Sequence, residues 1–332
     1  MNKRYDFIDL VKGIGIITVI IYHIKIPLLY QTCITYYMLP VFYICSGIFF
    51  SRYNSKKTFF LKKINNLIIP YLFFFILDFF IILLFHFKYP HLHYDELNKI
   101  SGNLQNGPIW FLRSLFIVEL IFYIVTYIKR QIFIFSLSIL ISFIGYCMSI
   151  TKINLPLDII SSLTCTIFFY LGFLLRKLNI LERNDKNLTM LTLFTSSYIV
   201  ISTFFIHNKE LCLENNNIPD NYVYFILACS CGSLSIIYLS KIITKIKFIN
   251  YFGKYSLIIL CTHWFLLRIW GYILPYHIMQ LTITKYILFV YIVLLSFPII
   301  YLFRKYLPWF CGIKQLTWIS RNGIWSGLYK KK

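Results

Sequence analysis

The stretch 6-DFIDLVKGIGIITVIIYHIKIPLLY-30 decides the fold. From Ile8 to Tyr30 it is long enough for a helix to cross about 30 Å of hydrocarbon, which takes about 20 apolar residues. Asp9, Lys12 and His23 sit inside it, with Lys25 towards its outer end. It reads as a retained first transmembrane helix. Asp6, Asp9 and Lys12 interrupt the apolar core that a signal peptide needs, and no small-residue cleavage site follows. Working outward, nine further apolar runs follow, at approximately 36–53, 67–87, 109–127, 132–150, 157–175, 188–207, 222–240, 255–274 and 286–303.

Composition agrees. The 332-residue chain is 59% hydrophobic and 14% charged, against about 25% charged in soluble domains. A soluble fold with so little polar surface would expose large apolar patches, and the apolar content excludes disorder. The runs are continuously apolar rather than alternating, so the spans are helices and not barrel strands. The expectation is an all-α integral membrane protein. It forms a single bundle of about ten transmembrane helices over residues 1–332, with both termini cytoplasmic and 304–332 a cytoplasmic tail.

Lys+Arg outnumber Asp+Glu by 33 to 12. With the N-terminus inside, 24 of these cations fall on the inner side and 6 on the outer: Lys25, Lys88, Lys99, Lys152, Lys209 and Lys285. Three, Lys12, Arg113 and Arg268, lie within spans. The positive-inside rule selects this orientation. The net charge of +21 is accounted for by anchoring to anionic membrane lipids, and nucleic acid is not an expected partner. Most of the nine cysteines lie in spans, as small hydrophobes. Cys229 and Cys231 point to different sides of a helix and make a poor metal pair. Cys33 and Cys212, both near the outer surface, leave a disulfide open.

Ionisable groups inside a bilayer default to function. Besides Asp9, Lys12 and His23 they are Asp78, Arg113, Glu119, His263 and Arg268; Asp158, His86 and His207 sit nearer span ends and carry less weight. Lys12 and His23 are 11 residues apart, about 20° past three full turns, so one stripe carries both, about 16 Å apart along the axis. Asp9 stands one turn before Lys12 and can neutralise it. Gly13 and Gly15 admit another backbone, or a ligand. Hydrogen bonding to a neighbouring helix is the plain alternative for His23. In the ninth span Ser256 and His263 share a face. In the fourth, Trp110 and Arg113 share one near the outer surface, suited to a sugar or carboxylate, or simply to interfacial anchoring. Glu119 or Asp78 is expected to orient a site histidine. The outer loop 88–108 holds His91, His93, Asp95 and Glu96, whose spacing is unspecific for metal, and no metal site is expected.

These residues fall in an order that is recognisable. Arg4 through Lys12 to His23 resembles the opening of the acyltransferase family 3 membrane proteins, which have a basic residue, ten residues, then a histidine. Met38-Leu39-Pro40-Val41-Phe42 to Ser46-Gly47 resembles that family's second-helix segment. Trp110-Phe111-Leu112, Tyr170 to Gly172 and Arg176, and Gly253 through Ser256 to His263 resemble later ones. In length the chain is similar to the sugar O-acetyltransferase branch, including fucose acetyltransferase-like proteins.

The resemblance implies acyl transfer, usually of acetyl from acetyl-CoA, to a hydroxyl of a cell-surface glycan or its lipid-linked precursor. It implies a multi-pass protein of the cell membrane, the cytoplasmic or inner membrane of a bacterium. No bound cofactor is implied; acetyl-CoA is the donor substrate. Lys12 stands where the family often has arginine, which keeps the charge and loses the two-pronged grip. On this reading the CoA phosphates meet the inner rim, with Arg52, Lys62, Lys63 and Arg176 as candidates. His23 is general base on the acceptor hydroxyl, or a covalent acyl carrier. Arg113 or Ser256 donates to the oxyanion, His263 is a second site imidazole, and the acceptor enters from outside past Trp110. The alternatives are a transporter or flippase of glycan precursors, which commonly shows repeats not evident here, or acetyl transfer to a small molecule.

Overall fold

The computed structural model describes residues 5–26, 31–53, 55–88, 107–153, 155–183, 186–205 and 211–314. Its regular structure is helical: α1 Asp6–Ile24, α2 Gln31–Met38, α3 Pro40–Ile48, α4 Lys56–Lys63, α5 Ile69–Lys88, α6 Trp110–Val125, α7 Gln131–Ile150, α8 Ile159–Lys177, α9 Asn187–Phe205, α10 Tyr222–Ile243, α11 Lys247–Lys254, α12 Ser256–Ile273, α13 Tyr276–Gln280 and α14 Thr282–Tyr306. Among the described residues seven helices are long and apolar enough to cross a membrane, and two shorter apolar ones run over Thr32–Ile48 and Ser256–Gly271. The chain is an all-α integral membrane protein, as expected. Outward faces of α7 and α14 remain apolar (Ile132, Leu140, Ile287, Leu294), which hydrocarbon rather than water accommodates.

Several boundaries differ from the sequence reading, each for a local reason. The first helix ends at Ile24, because Lys25 takes a left-handed conformation (φ 57°) whose amide caps Ile21 and Tyr22. The second span lies at 31–48 rather than 36–53 and breaks at Leu39, with Pro40 opening α3 where its missing N–H costs nothing. The third begins on the inner surface as α4, capped by Ser55, and passes through a π-helical stretch, Ile64–Ile68, into α5. The inner segment 241–254 contains a helix of its own, α11, too short and too mixed for any scan for spans.

α1 lies at the centre, packed against α10, α11 and α12. Its contact with α11 is backbone to backbone. A Cβ on Gly253 would lie 1.7 Å from the Asp9 carbonyl oxygen, and one on Gly13 2.1 Å from that of Ile249. Asn250 fixes the register by donating to the Asp6 carbonyl at 2.7 Å. Gly47 on α3 and Gly172 on α8 make a second such pair, each with 2.0 Å to the opposing carbonyl oxygen. Gly13 therefore admits a helix rather than a ligand, and Gly15 faces Phe42.

Candidate active site

His23 sits in the last turn of α1, on the side that the cation count makes the outer one. Two rings of α12 meet it: His263 with centroids 5.3 Å apart, and Trp264 at 4.9 Å, edge to face. Tyr22 lies at 5.1 Å. His263 is fully buried, and its Nδ1 lies 2.8 Å from the Ile259 carbonyl oxygen. A carbonyl only accepts, so Nδ1 carries the proton and a neutral ring leaves Nε2 as an acceptor. That Nε2 has no hydrogen-bond partner among the described residues, nor has the buried Nε1–H of Trp264. Two unsatisfied polar atoms beside one imidazole are unusual in a packed interior and mark a place where a ligand group completes the bonding.

His23, Tyr22 and Trp264 border a cavity of about 670 Å³, and His263 lies buried behind His23. Val19, Met38, Leu39 and Leu260 form its apolar part and Trp110 an aromatic wall; Lys25, Thr32, the 211–215 segment with Glu214, and Lys285 form its outer edge. Gly107, at φ 57°, lets the chain turn against the Trp264 indole, where a Cβ would lie 2.3 Å from Cδ1. Ser161 Oγ holds the 211–216 segment by donating to the Leu213 carbonyl at 2.5 Å, with Asn216 Oδ1 at 2.8 Å. Glu214 lies outside the spans. Burial, with help from Asp158 and against Arg113, pushes its carboxyl up to about 7.

The structure brings His23 and His263 together and sets Trp110 on the wall of the cavity that His23 borders. It places the other expected residues elsewhere. Arg113 shares a helix face with Trp110, yet it is buried against Asp158: Nε and Nη2 reach Oδ2 at 2.6 and 2.5 Å, and Nη1 reaches the Tyr71 hydroxyl at 3.2 Å. It is a structural ion pair rather than a platform in the cavity. Glu119 accepts from Lys63 at 2.7 Å, and Asp78 accepts from Arg268 at 2.8 Å. Among the described residues neither carboxylate is hydrogen-bonded to a histidine, and Arg268, the partner of Asp78, stands 6.0 Å over the Trp264 ring. Ser256 opens α12, about 10 Å along the axis from His263. It is not a donor beside His23.

On the inner half, Lys12 stands 5.6 Å over the Phe49 ring, while Asp9 presents its carbonyl to α11. Four inner cations gather around residues 50–53. Arg176 donates to the Phe50 carbonyl at 2.8 Å and Arg52 to that of Thr126 at 3.0 Å, Lys62 lies 3.9 Å over the Tyr53 ring, and Lys63 holds Glu119. None of the nine cysteines, Cys33 and Cys212 included, is in a disulfide. His91, His93, Asp95, Glu96, His207 and residues 315–332 lie outside the described residues.

A membrane-spanning bundle with two imidazoles meeting beside a cavity is an arrangement suited to group transfer. The chain matches the family model described as the acyltransferase domain, acyltransferase family 3, over residues 5–305, and it belongs to that family. No curated protein and no solved structure matches it. It is a multi-pass membrane acyltransferase.

Proposed function

We propose that the protein moves an acetyl group from cytoplasmic acetyl-CoA to a hydroxyl of a cell-surface polysaccharide or lipid-linked glycan precursor, with His23 as general base. The observation that carries this reading is the position of His23. It is the ionisable group of the first-helix stripe that borders a cavity, and that cavity is edged by outer-side residues. An acceptor hydroxyl entering there gives its proton to a His23 nitrogen as its oxygen attacks the thioester carbonyl carbon. The carbonyl electrons move to oxygen, and the Trp264 N–H, which has no other partner among the described residues, suits that oxyanion as a donor. Collapse expels the CoA thiolate, which takes the proton from His23. His263 is a positioning residue, its ring packed against that of His23.

The donor reaches this point from inside. Arg176 gives one described hydrogen bond to a carbonyl, and a guanidinium has five donors, so it can still grip phosphate, while Arg52 is held by the Thr126 carbonyl and the Tyr123 and Tyr127 rings at the same rim. Lys12, about 16 Å along α1 from His23, supplies charge on the way. The test is transfer of labelled acetyl from acetyl-CoA by the purified protein, with mass analysis of the surface glycan. His23→Ala should insert normally and abolish transfer. Near-normal transfer by that variant overturns the assignment, and solute movement without acetyl transfer would instead mark a transporter.

A further inference from the structure

Six lysines and no arginine stand on the outer side, as the positive-inside rule requires, and two of the six line this one cavity. Lys25 comes from the end of α1, where the left-handed cap fixes its backbone (φ 57°). Lys285 comes from the first turn of α14 and is partly buried. Neither forms an ion pair among the described residues. Lysines at an interface ordinarily reach for headgroups; these two border the same cavity as Trp110, Trp264 and Tyr22, amphipathic rings that suit the C–H faces of a sugar. The carboxylate of that wall, Glu214, is partly buried and titrates near neutrality, so around pH 7 it cancels less than one of the two positive charges.

We propose that the acceptor is an acidic glycan, whose carboxylate or phosphate is held by Lys25 and Lys285 while its hydroxyl meets His23. This rests on the cavity being the acceptor site. It adds a chemical class, since a neutral sugar would leave both ammonium groups without a counter-charge.

The test reads binding rather than catalysis. The full chain is placed in phosphatidylcholine nanodiscs, and carbethoxylation of His23 is followed by peptide mass spectrometry. The probes are trigalacturonic acid and its fully methyl-esterified form, which share the sugar chain and its hydroxyls and differ in charge and in the added methyl groups. Two partly exposed charge pairs predict protection by the acid at about tenfold lower concentration than by the ester. Lys25→Gln/Lys285→Gln should erase that difference, and Lys25→Arg/Lys285→Arg should keep it. Equal protection by the two probes, protection by neither, or a preference that survives the double glutamine variant each overturns the proposal. So does His23 protection by phosphatidylglycerol nanodiscs without sugar, which would assign the lysines to lipid. Failure of the general-base reading shows separately, as acetyl transfer that persists in His23→Ala.

Discussion

Replacing Arg113 decides between two roles for an intramembrane arginine beside a cavity. In the structure its guanidinium is 7% exposed and Asp158 4%, with Nη2 to Oδ2 at 2.5 Å. Arg113→Met strips the partner from a buried carboxylate, a change that costs about 3–5 kcal/mol. Loss of the bond to the Tyr71 hydroxyl adds about 1 kcal/mol. At about 2–3 °C per kcal/mol for a chain of this size, melting in detergent, followed as the monodisperse fraction on size exclusion, should fall by about 8–18 °C. Asp158→Asn in the same background removes the stranded charge, and asparagine tolerates the left-handed backbone at 158 (φ 57°). The double variant should recover to within about 2 kcal/mol of wild type, and acyl transfer by its folded fraction should return with it. Instability equal to the sum of the single effects would refute the ion-pair account. A folded but inert double variant would restore Arg113 to the catalytic machinery.

Glu214 gives a pH signature. Its carboxyl is raised to about 7 from an unfolded value near 4.5, so its contribution is fully present below pH 4.5 and is lost as pH rises through 7. About 1–2 kcal/mol, allowing for partial exposure, should disappear between pH 5 and 8, and Glu214→Gln should flatten that part of the melting profile; an unchanged slope counts against burial of the group. Gly253→Ala places a Cβ 1.7 Å from the Asp9 carbonyl oxygen and should cost about 2–3 kcal/mol by forcing α11 off α1, whereas an unaltered melting temperature would mean the helices do not touch there. Lys12→Arg should keep more transfer activity than Lys12→Ala, and equal activities would deny Lys12 a charge role.

The lipid-facing lengths were legible because hydropathy is a property of single segments. Where the second helix begins was not, since the polar stretch before Tyr36 reads as a loop until α10 packs on it. α11 was missed for the same reason: its eight residues gain their stability from contact with α1, which no window of sequence contains. In the site, periodicity placed His23 and His263 each on a face of its own helix, and only packing shows that the two faces meet. Asp158 was discounted as lying near a span end, yet that is where a helix-end carboxylate can turn inward to Arg113. Glu214, Lys25 and Lys285 belong to loops and helix ends, and nothing in a single sequence says which cavity they border. The glycines of the recognisable segments were more informative than they looked. Gly47 answers Gly172, and Gly253 answers Gly13, so the motif marks helix contacts as much as chemistry.

The glycine seam between α1 and α11 divides the protein into a part that is free to change and a part that is not. The helix bearing Lys12 and His23 is clamped by close main-chain contact, which any larger residue at 13 or 253 would prise open. The outer edge of the cavity is assembled instead from a helix cap, an irregular segment and the first turn of α14, where loop positions accept substitution more readily than the seam does. On the proposed function, substitutions at Lys25, Glu214 and Lys285 would alter acceptor preference while leaving the glycine seam, and with it the placement of His23, unchanged.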